Sequence, residues 1–180
     1  MMNPINQRIK KEFDYLYFNP VTSFGLTVGT INNNDIRNWK FTLIGPNDSL
    51  YKGGFFNLIV NFPDNYPNAP PIICFLNPIY HINVNPKLPR FPNDPPLGYI
   101  DIYNLGFWEM DSTMAEVITN IYSLFYYINY DVVYGEERLN EYRFQRNIYN
   151  EKVKYFTRKY GKCSDNISIF KDRDWNFSLN

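Results

Sequence analysis

The sequence predicts an α+β fold in which helices pack on one face of an antiparallel sheet. Strand patterns fall together between residues 24 and 76, whereas the strong helical patterns lie before and after this region. Strands that are grouped apart from helices are typical of α+β proteins. Clusters of Gly, Pro, Asn and Asp separate the strand patterns by short distances, as an antiparallel meander requires. At 180 residues, the chain is predicted to form one domain.

The first predicted element is a helix over residues 4–17. Pro4 suits the first turn of a helix, because the N–H that proline lacks would have no partner there. Apolar residues then recur every three or four positions and form one stripe: Ile5, Ile9, Phe13 and Leu16.

Four strands are predicted next, over residues 26–31, 39–44, 55–62 and 72–76. Each is near the usual length of about five to six residues. The turn signal at 32–35, Asn-Asn-Asn-Asp, separates the first two strands. Prolines between 63 and 71 exclude a helix or a central strand there, so that segment is predicted to be a stiff extended crossing. Cys74 lies in the last apolar run and is interpreted as a buried core residue rather than a reactive thiol.

Two further helical regions are predicted after a proline-rich loop. Thr113 and Glu116 form a capping box at the start of a helix predicted over residues 112–128. Its apolar face consists of Val117, Ile121, Leu124, Phe125 and Ile128. A second helical region is predicted over residues 136–160.

Residues 161–180 are predicted to be a C-terminal tail extension beyond a domain of residues 1–160. The tail carries aromatic side chains among polar ones, and aromatic residues are enriched at protein interfaces. The candidates for partner binding are Phe170, Trp175 and Phe177.

The composition and the first residues argue against several classes of protein. The chain has 18 basic and 18 acidic residues and no long basic run, so no nucleic-acid partner is expected. No apolar run reaches the ~18 residues that a transmembrane segment needs. The first residues lack the features of a secretory or transit peptide, which favours an intracellular protein. One histidine and two cysteines cannot build a structural zinc site, so neither a metal nor a cofactor is expected.

Amino-acid usage gives a hint about the compartment. Alanine occurs only at Ala69 and Ala115, while Asn, Ile, Tyr and Phe, whose codons are AT-rich, are abundant. This usage suggests an organelle-encoded, mitochondrial protein. The alternative is ordinary genome bias without functional content, and a cytoplasmic or nuclear protein is then the other interpretation.

Four motifs, in order and at nearly the right spacing, resemble the ubiquitin-conjugating enzyme family over about residues 5–160. Residues 39–55 are similar to the family's W…I.GP…Y.GG.F core, and residues 62–71 to its FP..YP..PP crossing. Ile79-Tyr80-His81-Ile82-Asn83 is similar to the IYHPN motif, with proline replaced by isoleucine. Gly98-Tyr99-Ile100 and Trp108 are similar to the G.IC…W segment. The resemblance implies the family's fold: an N-terminal helix, a four-stranded antiparallel meander, a long central helix and C-terminal helices.

The resemblance also implies that the catalytic site is vestigial. In the family, the residue after that isoleucine is the cysteine that carries ubiquitin as a thioester, and here it is Asp101. A carboxylate is a weak nucleophile, and its acyl product would be a mixed anhydride. Neither Cys74 nor Cys163 is expected to substitute. His81 and Asn83 match the rest of the site, and without a nucleophile Asn83 is expected to hold the loop by side-chain to backbone hydrogen bonds.

Further departures concern the surroundings of this site. The proline-rich insert of residues 86–96 lengthens the interval before Asp101 and is expected to sit over the usual active-site groove. Asn68 and the pair Glu109-Met110 replace residues that contact ligases in the family. The surface that would face a ligase is therefore predicted to be altered.

Two functions stay open, and neither is enzymatic. The first is a non-catalytic module that serves as a structural or interaction subunit of a larger assembly; an organellar gene would point to a mitochondrial complex such as the respiratory chain or the ribosome. The second is a variant-type cofactor that binds ubiquitin or an active conjugating enzyme during chain formation.

Overall fold

The computed structural model describes residues 2–20, 25, 27–31 and 35–162. The elements in this part of the chain are, in order, α1 (Pro4–Phe18), β1 (Thr27–Thr30), β2 (Asn38–Ile44), β3 (Phe55–Asn61), β4 (Ile72–Phe75), β5 (Tyr99–Ile100), α2 (Met114–Ser123), α3 (Glu136–Phe144) and α4 (Arg146–Tyr160). The strands form one sheet in the order β1-β2-β3-β4-β5, and every pair is antiparallel. The predicted α+β class is confirmed.

Helix α1 begins where the sequence predicts and ends one residue later. The Asn3 side chain accepts a hydrogen bond from the Asn6 N–H at 2.8 Å, which satisfies one amide of the first turn. The helix buries Ile9 and Leu16 from the predicted stripe. The ring of Phe13 meets Trp39 of β2 edge to face, with 5.5 Å between the ring centroids. The apolar stripe therefore fixes α1 against the sheet.

The four strands of the meander are confirmed. Alternate residues of β2 and β3 point into one core, where they are fully buried: Trp39, Phe41, Leu43, Phe56, Leu58 and Val60. Leu26, at the start of the first predicted strand, and most of the predicted turn at 32–35 lie outside the described residues. The sheet has a fifth strand that the sequence does not predict, because β5 is only two residues long and has no periodicity. It pairs with β4 through Ile73↔Ile100 and Cys74↔Tyr99.

The proline-rich crossing contains neither helix nor strand, as predicted, but it is not extended. The Tyr66 N–H donates to the Pro63 carbonyl at 3.1 Å, and the Asn68 N–H donates to the Asn65 carbonyl at 2.8 Å. Two turns therefore fold the crossing back on itself. They place the Tyr66 ring, which is almost fully buried, against Phe62 and Trp108.

The central helix is shorter than predicted. The capping box at Thr113 and Glu116 is present and starts α2. The helix ends at Ser123, and single hydrogen-bonded turns continue the chain, with the Phe125 N–H donating to the Tyr122 carbonyl at 3.1 Å. The predicted apolar face extends past the end of the helix, because Leu124 and Phe125 stay buried in the core.

The second helical region consists of two helices rather than one, since the backbone leaves the helical conformation at Gln145 (φ −136°, ψ 50°). The end of α4 is tied to the core. The Tyr160 carbonyl accepts a hydrogen bond from the buried Asn77 side chain at 2.9 Å, and the Gly161 carbonyl accepts one from the Phe55 N–H of β3 at 2.9 Å. None of the helices in the described part of the chain is both long and apolar enough to cross a bilayer.

Candidate functional site

The candidate site is built on the segment after β4, residues 79–85, which is buried throughout. His81 lies at its centre. The ring Nε2 lies 2.9 Å from the carbonyl oxygen of Leu124, and Nδ1 accepts a hydrogen bond from the Asn83 N–H at 3.0 Å. This pair of contacts requires a neutral ring with its proton on Nε2. Burial, together with the charge of Arg138, lowers the pKa of His81 to about 4, so the ring stays neutral at physiological pH.

Asn83 holds a second segment in place. Its side-chain amide donates to the carbonyl oxygens of Asn129, at 2.6 Å, and Val132. Its side-chain oxygen accepts a hydrogen bond from the Asn129 N–H at 3.1 Å. The expected side-chain to backbone hydrogen bonds are therefore present. Both N–H donors of the amide are used within the protein, and neither is left to stabilise an oxyanion.

Asp101 follows β5 directly and caps a turn. One carboxylate oxygen accepts a hydrogen bond from the Asn104 N–H at 3.1 Å, and the other accepts one from the Asn104 side-chain amide at 2.7 Å. The Asp101 carbonyl also accepts the Leu105 N–H at 2.9 Å. Aspartate commonly stabilises turns in this way. The side chain is thus a structural cap that remains partly exposed.

The cysteine that the described residues include is Cys74 on β4. It pairs with Tyr99, two residues before Asp101, and only 4% of its surface is exposed. The prediction that Cys74 is buried in the core is confirmed. The neighbouring Tyr99 has its pKa raised to about 12, by burial and by the charges of Asp101 and Cys74. Cys163 lies outside the described residues.

The insert of residues 86–96 is closed at its base by Asn85. The Asn85 side chain donates to the carbonyls of Pro95 and Pro96, both at 2.9 Å, and accepts the Lys87 N–H at 3.1 Å. The Asn85 backbone pairs with Gly98 and Tyr99 on the other side. The insert is therefore an ordered loop that begins and ends beside β5. Its expected position over the groove stays a prediction.

A buried charged cluster behind the loop is a feature that the sequence does not predict. The Arg138 side chain, from α3, donates to the His81 carbonyl at 2.9 Å and lies over the Tyr80 ring, 4.4 Å from its centroid. The Tyr80 hydroxyl donates to Glu141 at 2.7 Å, and Glu141 is paired with Lys152 of α4. All three charged side chains are buried. This cluster fixes the loop against both C-terminal helices.

The described part of the chain contains neither the predicted partner-binding residues nor a group of metal ligands. The tail candidates Phe170, Trp175 and Phe177 lie outside the described residues. Within the described ranges, no group of three His, Cys, Asp or Glu side chains could hold a metal ion.

Comparisons with known proteins agree with the fold. A family model described as ubiquitin-conjugating enzyme matches residues 8–157. The chain is 33% identical over 157 residues to Ubiquitin-conjugating enzyme E2 13 of Arabidopsis thaliana, which covers 84% of this chain and 92% of that protein. It is 32% identical over 157 residues to Ubiquitin-conjugating enzyme E2 7 of the same plant, with the same coverage. Ubiquitin-conjugating enzyme E2 14 of that plant is 29% identical over 163 residues and covers 87% of this chain and 95% of its own length.

Proposed function

The chain belongs to the ubiquitin-conjugating enzyme family, and we propose that it is a catalytically inactive member that acts by binding other proteins. The observation that carries the proposal is Asp101, which stands where the family motif has its cysteine. A carrier of an acyl group needs a side chain that is both a good nucleophile and a good leaving group, as a thiolate is. A carboxylate there would form a mixed anhydride, which water hydrolyses.

The surrounding groups support the proposal. The Asp101 carboxylate is held by Asn104 as a turn cap. The Asn83 side-chain amide donates both of its N–H groups to backbone carbonyls. His81 is a buried neutral ring, and both of its nitrogens are hydrogen-bonded to the backbone. Each group that could assist a nucleophile is therefore committed to holding the loop.

The proposed role is that of an interaction subunit in a larger assembly. The described domain ends at a fixed point, because Gly161 is hydrogen-bonded to β3. The tail that follows carries Phe170, Trp175 and Phe177, which are the anchors proposed for a partner protein. If the amino-acid usage reflects an organellar gene, the assembly is a mitochondrial complex.

The second candidate is a variant-type cofactor that binds ubiquitin or an active conjugating enzyme. The observation that favours it is the retained core, since the family match extends over residues 8–157. A surface that binds a family partner would then belong to the sheet, the helices and their loops rather than to the tail.

A charging assay tests the loss of catalysis. With activating enzyme, ATP and ubiquitin, we expect no adduct that reducing agent removes, because position 101 offers no thiolate. The Arabidopsis relative E2 13 serves as the positive control. A thiol-sensitive adduct that survives both Cys74→Ala and Cys163→Ser would contradict the proposal.

A truncation separates the two candidates. Removal of residues 164–180 keeps the bond between Gly161 and β3, so the domain should still fold. As a subunit of an assembly, the truncated chain should no longer co-purify with its partners, because each aromatic anchor is expected to contribute about 2 kcal/mol or more. Unchanged assembly would refute the role of the tail. Isolation of either form with only an active conjugating enzyme would favour the cofactor.

A further inference from the structure

The insert presents a phenylalanine at its tip, residues 87–94. The Phe91 side chain is 71% exposed, although the loop around it is held by its own hydrogen bonds. The Asp94 carboxylate accepts the N–H groups of Arg90, at 2.9 Å, and Phe91, at 3.0 Å. The Asp94 N–H donates to the Phe91 carbonyl at 3.0 Å, and Asn85 closes the base of the loop. The insert tip is therefore an ordered projection that carries an exposed apolar ring.

The free charges at the insert tip are positive. Lys87 and Arg90 are exposed, and neither side chain forms an ion pair with a carboxylate in the described part of the chain. Asp94 is the one acidic residue of the insert, and it holds the turn. An aromatic ring beside two such cations fits an apolar pocket with an acidic rim. Because the loop is already ordered, its docking costs less conformational entropy than that of a flexible segment.

The same chain carries a pocket with these properties. A cleft of about 620 Å³ lies between the last turns of α1, the segment at 106–112 and the first turns of α2, and we call it the α1–α2 cleft. Its apolar and aromatic lining residues include Tyr15, Phe107 and Ala115. Its acidic lining residues are Glu109, Asp111 and Glu116. No lysine or arginine is among the described residues that line it, so the cleft complements the insert tip in charge.

Two of these carboxylates are available to a partner. Glu109 and Asp111 are exposed, and their side chains form no hydrogen bond or ion pair within the described ranges. Arg8, which does not line the cleft, fixes the segment between them by donating to the carbonyls of Met110, at 2.7 Å, and Ser112, at 2.9 Å. Its own ion pair is with a carboxylate of α1 rather than with one of the cleft. The acidic rim is therefore ordered and not neutralised.

We propose that two copies of this chain associate, with the insert tip of one copy in the α1–α2 cleft of the other. Phe91 packs against the aromatic wall, and Lys87 and Arg90 lie at the carboxylates of the rim. No residue of the insert lines the cleft of its own chain, so the contact joins separate copies. The inference adds a second copy to the protein partners proposed above, and it depends neither on position 101 nor on the tail.

Sedimentation equilibrium of the full chain tests the inference. We expect a weight-average mass that rises above the 21.5 kDa of one chain between about 10 µM and about 1 mM, as suits a small, transient contact. About 1 M NaCl should weaken the association several-fold, because it screens exposed charges. Phe91→Ser should weaken it at least about tenfold, since an anchoring ring is lost. The double variant Glu109→Lys and Asp111→Lys should weaken it as much, because the rim then repels the insert tip.

A mixture of the two defective proteins distinguishes this contact from any other. Phe91→Ser keeps an intact cleft, and the double variant keeps an intact insert tip, so neither should associate with itself. Mixed in equal amounts, they should form pairs, because one intact tip meets one intact cleft. Phe144→Ser changes a ring that is 78% exposed at the end of α3 and should leave the association unchanged. Melting curves check that each variant is folded.

Three results would overturn the inference. One is a mass of a single chain at every concentration, which would mean that the insert tip and the cleft do not bind each other. Another is self-association that neither Phe91→Ser nor the double variant weakens. The third is a mixture of the two defective proteins that contains no pairs.

Discussion

Mild acid should destabilise this protein mainly through His81, which is the only histidine in the sequence. The folded state holds the ring neutral, because Nδ1 accepts the Asn83 N–H while Nε2 faces the Leu124 carbonyl. A protonated ring would direct a second N–H at the Asn83 amide, and its charge would be buried near Arg138. These are the physical reasons why the pKa of His81 is lowered from 6.5 to about 4.

The sign and the size of the effect follow from proton binding. Between pH 6.5 and about 4, the unfolded chain binds a proton at His81 and the folded chain does not. The free energy of unfolding therefore falls as the pH falls through this window, by up to about 1.4 kcal/mol per pH unit. The full loss is about 3 kcal/mol, which is a large part of the ~5–15 kcal/mol that stabilises an ordinary domain. Above the window the stabilising contribution of the neutral ring is fully present.

Urea denaturation at a series of pH values between about 7.5 and about 4 measures the effect. The matched variant is His81→Gln, whose amide does not titrate. It should be less stable at neutral pH, because one amide cannot replace both ring nitrogens at their positions. It should, however, lose about 3 kcal/mol less than the wild type across the window. Equal pH slopes for the two proteins would refute the reasoning.

Carboxylates do not obscure this comparison. Hydrogen bonds from Thr113 lower the pKa of Glu116, and Lys154 lowers that of Glu151, so both contribute stability that is lost as the pH falls below their ordinary value of 4.5. That loss overlaps only the lower end of the histidine window. It is also common to both proteins and cancels in their difference.

Three further predictions concern single side chains. Asn83→Ala should lower the free energy of unfolding by about 2–4 kcal/mol in urea denaturation, because it leaves buried backbone groups without partners; a loss below about 1 kcal/mol would contradict the structural role. Asp101→Cys should restore at most weak ubiquitin charging on non-reducing gels, since a thiol must also reach near-attack geometry; charging at the rate of the Arabidopsis relative would show that inactivity rests on one side chain. Lys152→Met should cost about 3–5 kcal/mol by stranding the Glu141 carboxylate, and the double variant with Glu141→Gln should recover much of that loss; equal stability of the single and double variants would exclude an ion-pair role.

Local patterns were sufficient to predict four of the five strands and, to within two residues, the starts of α1, α2 and α3. The strands of the meander follow from alternation between turns, and the caps at Asn3 and Thr113 act within three residues of the side chain concerned. The end of α2 could not be predicted in this way. Apolar periodicity continues through Phe125, but the Phe125 ring is positioned by Tyr51 and other aromatic residues of the core rather than by a helical backbone. Similarly, Gln145 separates α3 from α4 without a glycine or proline to mark the break.

At the candidate site, the local motif predicts which residues take part but not which distant residues they contact. The motif identified His81 and Asn83, but their partners are 43 to 49 residues further along the chain, and no local pattern predicts such pairs. The buried charges at Arg138 and Glu141 were missed because charged helical residues are almost never fully buried unless they are paired. Their three-residue spacing places them on one helical face, which is the only signal that the sequence carries.

The structure gives His81 and Asn83 structural roles that do not depend on the family's reaction. His81 and Asn83 are hydrogen-bonded to each other, to the end of α2 and to the segment at 129–132. Replacing either residue would therefore lower the free energy of unfolding, whether or not acyl chemistry occurs. Their presence therefore says little about catalysis. The informative position is 101, because a nucleophile there would need an unengaged side chain, whereas the Asp101 carboxylate is used to cap a turn. If catalysis is lost as proposed, the function should be sought on the surfaces of the fold rather than at position 101.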